Sequence, residues 1–220
     1  MRLRITFSKS GALRYTGHLD LHTIWERTIR RAGLPLGYTQ GFHPGPKIQI
    51  ASALPLGFIG RAEVVDVWLA DDVASKPVFD SNSIIERLQP AAPPGLVISS
   101  VEVVDEHAPA LQTQVVSAEY EVSLLELELS PELEKSISTL LGAASLSRER
   151  RGKTYDLRPL IESLSLVPPP KGDGKGVKVL MTLSVREGAT GRPEAVLDAL
   201  GIPFETTRIE RIRLIFCRQD

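Results

Sequence analysis

Cysteine is almost missing from this chain: Cys217 is the one thiol in 220 residues. A lone cysteine forms no internal disulfide, holds no iron–sulfur cluster and builds no cysteine-based zinc site. It ends the apolar strand pattern Ile212–Cys217, which predicts a small buried or edge side chain rather than a nucleophile. Long apolar runs are missing too, and no stretch approaches the roughly 18 residues of a membrane span. The start, Met1-Arg-Leu-Arg-Ile-Thr-Phe7, alternates charged and apolar residues unlike a signal peptide, so a cytoplasmic protein is expected. A phosphate-loop signature, a dinucleotide fingerprint, a Ser-His-Asp arrangement and suitably spaced paired carboxylates are all lacking. ATP or NAD binding and triad or carboxylate hydrolysis are therefore not indicated, and no cofactor of the chain's own is expected.

What remains is ordinary globular material, 42% hydrophobic and 24% charged. Its charge is unevenly spread. Residues 1–60 hold eight cations (Arg2, Arg4, Lys9, Arg14, Arg27, Arg30, Arg31, Lys47) against Asp20 and Glu26, a balance of +6. With a net charge of −1, the other 160 residues carry −7. Further cations gather at Arg148–Lys153 and Arg208–Arg218. Such asymmetry suits an anionic partner, nucleic acid above all, although a solvated basic face has the same composition.

Periodicity outlines the elements. Leu3, Ile5 and Phe7 share one face of a strand at 2–8, with Arg2, Arg4 and Thr6 on the other. A helix over 18–32 carries the stripe Leu21, Ile24, Trp25, Thr28, Ile29 and Ala32, capped by Thr16 or Gly17 and ended by Gly33 and Pro35. A Gly/Pro-rich loop (33–47), strands at 48–53 and 63–69, a helix at 82–89, a breaker at 90–95 and a strand at 97–104 follow. The second half repeats that order. Strands are expected at 115–129 and 145–155, with a helix at 131–141 between them. A helical turn near 157–164 follows, then a mobile loop at 168–176, a strand at 177–185, a helix at 193–200 and a last strand at 208–216. The expected fold is α+β, two tandem ferredoxin-like (βαββαβ) units with antiparallel sheets, at 1–106 and 113–220.

Three segments could carry chemistry. In Leu13–Asp20, His18 at a helix N-terminus meets the positive end of the dipole, which favours neutral imidazole and allows a base or a ligand contact. A plain capping role fits it as well. His18 and His22 have the i, i+4 spacing of metal ligands, but a third ligand from Asp20, Glu26 or His43 is not demanded, and no metal site is expected. In Gly37–Lys47, glycine amides, Tyr38, Phe42 and Lys47 suit a single-stranded nucleic acid or a nucleotide. A turn whose aromatics pack on the sheet explains the same residues. In Arg148–Arg158, alternating cations form either a positive ridge or a charge-protected sheet edge.

These segments resemble a bacterial family of radical-SAM-linked proteins. The resemblance rests on Phe7–Tyr15, Gly17-His-Leu-Asp20, Ile29–Pro35, Gly41-Phe-His-Pro-Gly-Pro-Lys47 and Leu54-Pro-Leu-Gly57, with Lys153–Pro159 and Gly191-Arg-Pro193 in the C-terminal half. Gly17 stands where that family usually has Ser, and the family varies around His43 and Gly45. The resemblance implies a partner, a radical S-adenosylmethionine protein encoded beside or fused to the domain. Together with the basic surface, this leads to an RNA-binding accessory module, docking tRNA or rRNA substrate for that enzyme and without catalysis of its own. Arg14, Arg27, Arg30 and Lys47 would hold phosphates, Tyr38 and Phe42 would hold bases, and His18 would orient. The alternative, by likeness to CRISPR repeat-processing enzymes, is a metal-independent endoribonuclease. His18 would then be the base on a ribose 2′-hydroxyl, with Lys47 stabilising the phosphorane. A structural scaffold without nucleic acid is the third reading.

Overall fold

Alternation in the first strand sets the sheet against which the N-terminal elements pack. The computed structural model describes residues 1–70, 80–167 and 176–217; most of the expected loop at 168–176, and Arg218, lie outside these. The described residues form a mixed α+β structure with four helices and paired strands running mostly antiparallel. Packing divides the chain into Met1–Val115 and Val116–Asp220.

In the N-terminal unit the order is β1 (Arg2–Lys9), α1 (His18–Arg31), β2 (Ile48–Ile50), β3 (Ile59–Trp68), α2 (Ser81–Ala91) and β4 (Leu96–Val104). β1 lies between β3 and β4, β2 pairs with β3, and all three pairings are antiparallel. Leu3, Ile5 and Phe7 are fully buried beneath α1, whose Leu21, Trp25, Thr28 and Ile29 form the buried stripe. Phe7 meets Trp25 edge-on at 4.9 Å, a favoured aromatic geometry. Ile24 and Ala32, expected in the stripe, are only partly buried at its margin. Gly17 is the N-cap, with its N–H donating to the Asp20 carboxylate at 3.3 Å. At the far end Gly33 takes φ +66°, and Leu34 N–H turns back to the Ile29 carbonyl, the left-handed close that glycine permits.

α2 runs through Pro90, expected to break it, and ends at Ala91. So late in a helix proline removes a single bond, and tertiary contacts outweigh that loss. Leu88 is fully buried, and the Gln89 amide donates to the Leu96 carbonyl while accepting from Ile98 N–H, tying α2 to β4.

The C-terminal unit runs β5 (Val115–Leu124), α3 (Pro131–Gly142), β6 (Ser147–Arg150), β7 (Lys153–Asp156), β8 (Ile161–Val167), β9 (Lys178–Arg186), β10 (Ala189–Thr190), α4 (Pro193–Ala199) and β11 (Thr207–Phe216). β9 lies between β5 and β8, both antiparallel to it, and β11 pairs with β5. Three expectations are corrected. The strand expected to run to Leu129 stops at Leu124, leaving Leu125, Leu127 and Leu129 exposed. The single strand expected at 145–155 is a hairpin, β6–β7, closed by Arg151-Gly152. The helical turn near 157–164 shrinks to a 3-10 turn at Arg158–Leu160, after which β8 begins. Cys217 is exposed just beyond β11. No helix of the described residues is long and apolar enough to cross a membrane.

Candidate nucleic-acid interface

Buried ion pairing removes several of the counted cations from the surface. Strand register sets Arg4 opposite Asp66 and Arg2 opposite Trp68. Asp66, fully buried, accepts from Arg2 Nε at 2.9 Å and Nη2 at 2.6 Å, and from Arg4 Nε at 2.9 Å. Hydrogen bonding to Asp66 holds the Arg4 guanidinium above its ordinary pKa. Arg2 also donates to the Ala108 and Pro109 carbonyls and lies 4.7 Å from the Trp68 ring. Lys9 is buried and donates to the Thr16 carbonyl at 2.8 Å. Arg2, Arg4 and Lys9 therefore serve the fold, and the basic surface reduces to Arg14, Arg27, Arg30, Arg31 and Lys47. In the C-terminal unit Arg208 pairs with Glu210, Arg211 is buried and Arg213 forms a two-pronged pair with Glu119. The cation cluster around Arg208 is thus largely neutralised.

The remaining candidates divide between the two ends of α1. At its N-terminal end, His18 is exposed, and desolvation first, then His22 and Lys9, lower its pKa. Its neighbour Arg14 lies over the Tyr15 ring, donates to the Tyr15 hydroxyl, and offers its carbonyl to Gly57 N–H. At the C-terminal end, Arg27 and Arg30 are exposed, and Arg30 donates to the Tyr38 hydroxyl from Nε at 3.0 Å and Nη2 at 2.5 Å. That hydrogen bond raises the Arg30 pKa. Glu26, half-buried, lies 3.4 Å from the exposed Arg30, an i, i+4 surface pair of little energetic weight.

Lys47 belongs to this second end, where its carbonyl accepts from Trp68 N–H and its N–H donates to Gly37. His18 opens α1, whereas Lys47 is tied through its backbone to Gly37 and Trp68, past the helix in the chain. Among the described residues no three His, Cys, Asp or Glu side chains gather as a metal site.

The glycine-rich loop is pinned by its own backbone. Gly37 N–H donates to the Trp68 carbonyl at 2.7 Å, and a Cβ at Gly37 would lie 3.0 Å from that oxygen. Thr39 N–H reaches the Gly45 carbonyl, and Gly45 N–H reaches Thr39 Oγ1. Of the glycine amides expected to be free for phosphate, that of Gly37 is thus used by β3 and that of Gly45 inside the loop. What this frame presents is its tip, Gln40 to Pro44, all exposed, with Phe42 at 102% relative exposure. Tyr38 is half-buried against the core, its hydroxyl committed to Arg30. Beside the loop Thr39, Pro46, Lys47, Ile48, Gln49 and Trp68 line a depression of about 350 Å3.

The third segment forms a separate feature in the C-terminal unit. β6 and β7 pair Arg150 with Lys153 and Arg148 with Tyr155. Arg151 and Gly152 take φ +51° and +73°, a hairpin turn that asparagine–glycine fits and arginine does not. An arginine held there costs on the order of 1–2 kcal/mol. With β10 and Arg192, the hairpin borders a cleft of about 720 Å3. Beside it a Cβ at Gly191 would lie 3.0 Å from the Leu160 carbonyl oxygen, so a larger residue there would crowd that backbone. Arg158 is structural, donating to the Leu141 and Ile161 carbonyls.

The family model of an uncharacterized protein conserved in bacteria (DUF2344) matches residues 2–193. The chain belongs to that family. No curated protein matches the chain. Among solved structures it is similar to one named "putative glycine cleavage system transcriptional repressor", at 12% identity over 98% of both chains. The TM-score of that match is 0.25, too low to support an argument about fold or function.

Sequence reasoning missed Arg87, which donates to the Ala32 and Gly33 carbonyls and so fixes the α1 terminus that carries Arg27 and Arg30. It also missed the cleft. The one local signal for it was a glycine, Gly152, set inside a run of alternating cations.

Proposed function

We propose that this protein is an RNA-binding, substrate-docking module that works with a radical S-adenosylmethionine enzyme. The observation that supports it is Phe42, a phenyl ring held wholly in solvent at the tip of a hydrogen-bonded loop. Burying such a ring is worth about 1.5–3 kcal/mol, so a pinned loop that exposes it forgoes a large term. Stacking a base on it recovers that term, and Arg27, Arg30 and Lys47 at the same end of the unit supply charge for the flanking phosphates. Arg14 and His18 lie at the opposite end of α1 and would meet only an RNA long enough to run along the helix. Both units place strand, helix, strand, strand, helix and strand in the order fourth, first, third, second, with the β6–β7 hairpin and β10 as additions. We read them as tandem ferredoxin-like units on that ground.

The partner follows from the sequence resemblance. One cysteine cannot hold a cluster, so this chain would dock the substrate and the partner would perform the chemistry. The test is filter retention of bacterial RNA across a salt series. Wild type should bind with a steep slope, and Arg27→Glu with Arg30→Glu should lose retention while staying folded. Salt-independent binding, or wild-type affinity in the double variant, would remove the surface from consideration. Co-expression with a radical S-adenosylmethionine protein should yield a complex. Failure to co-purify at low salt, with and without RNA, would refute the partnership.

A further inference from the structure

We propose that the C-terminal unit contains a second, independent binding site, a cleft that takes the phosphate groups of a nucleotide. Its walls carry Arg150, Arg151, Lys153 and Arg192 against the single carboxylate of Asp156, with Tyr155 half-buried beside them. Among the described residues none of those four cations has an ion-pair partner. One oxygen of Asp156 accepts from Leu146 N–H at 2.7 Å and Arg158 N–H at 3.0 Å, which ties it to the base of the hairpin. Those backbone donors hold its pKa below the ordinary carboxylate range. Ionised, it offsets one of the four cations at most, and the cleft keeps a net positive charge.

Two features of the hairpin oppose its own stability. Arg150 and Lys153 are direct cross-strand partners, an arrangement of like charges that destabilises a two-stranded ribbon. Arg151 occupies a left-handed turn position although asparagine or glycine would fit it without strain. A charge-protected sheet edge explains cations along a strand, but it does not call for arginine at that turn position. An anion over the face that Arg150 and Lys153 share offsets their repulsion and gives Arg151 a partner that accounts for its place in the turn. Guanidinium forks suit phosphate oxygens in particular. The cleft, at about 720 Å3, is of the size that small ligands occupy. Tyr155 lies on the same ribbon face as Arg150 and Lys153, set to contact a base while the cations hold its phosphates.

The phosphates could belong to a free oligophosphate or to a nucleotide strand, and calorimetry on the full chain separates the two. Inorganic tripolyphosphate and a 5′-phosphorylated dinucleotide are the probes, titrated at low salt. Wild type should bind at least one of them saturably, one per chain. Tighter binding of tripolyphosphate would assign the site to oligophosphates. Tighter binding of the dinucleotide, weakened by Tyr155→Ala, would assign it to a strand. Arg150→Gln with Lys153→Gln should weaken binding at least roughly tenfold. Arg151→Asn should weaken it while the melting temperature holds or rises, a combination that a purely structural arginine would not give. Arg27→Glu with Arg30→Glu should still bind tripolyphosphate saturably, and Arg150→Gln with Lys153→Gln should not, which separates this site from the interface on the N-terminal unit. No saturable binding of either probe at millimolar concentration, or unchanged binding in the Arg150/Lys153 variant, would overturn the assignment.

Discussion

Replacing Asp66 by Ala tests how the N-terminal unit handles its charge. The carboxylate is fully buried and takes two donors from Arg2 and two from Arg4, at 2.6–3.0 Å. Its removal leaves Arg2, at 1% exposure, a buried cation with only two carbonyls and the Trp68 ring for company. Breaking a buried pair in this way costs about 3–5 kcal/mol. At about 2–4 °C per kcal/mol for a chain of this size, the melting temperature should fall by about 10 °C. The assay is built in, because both tryptophans, Trp25 and Trp68, lie in the N-terminal unit. Their fluorescence during urea unfolding reports that unit. A companion variant, Arg2→Met with Asp66→Leu, removes the Arg2 charge together with the carboxylate and should recover much of the loss. A cost below about 1 kcal/mol for Asp66→Ala would refute the reasoning and return Arg2 and Arg4 to the available surface charge.

Two further outcomes are expected. Phe42→Ala should weaken RNA binding by about 1–3 kcal/mol with an unchanged urea midpoint; equal loss of stability would show the ring to be structural. His18 should titrate below the ordinary value of 6.5 when followed by NMR. Because the fold favours its neutral form, its contribution is fully present above that value and declines as pH falls through the lowered one. His18→Gln should flatten that part of the pH–stability profile, and an unchanged profile would contradict the assignment.

β1 and α1 were legible from local periodicity, because Leu3, Ile5 and Phe7 alternate, and Leu21, Trp25 and Ile29 recur every four residues. Gly33 and Pro35 marked the helix end for equally local reasons. Phe42 and Lys47 could be named as candidates from residue type alone. The turn at Arg151-Gly152 was hidden because arginine carries no turn signal, so one strand was expected where two exist. Pro90 was read as a breaker because its cost is local, whereas what outweighs it is tertiary, the burial of Leu88 in the core and the bonds of Gln89 to β4. The largest difference concerns charge. By itself the sequence determined which cations exist and on which side of a strand or helix each one starts. Only the tertiary structure decided which of them face solvent, because Arg2 meets its carboxylate 64 residues away, through a strand pairing that no local pattern encodes. Contacts between distant residues likewise tied Lys47 to Trp68, while the local β6–β7 hairpin set Arg150 opposite Lys153.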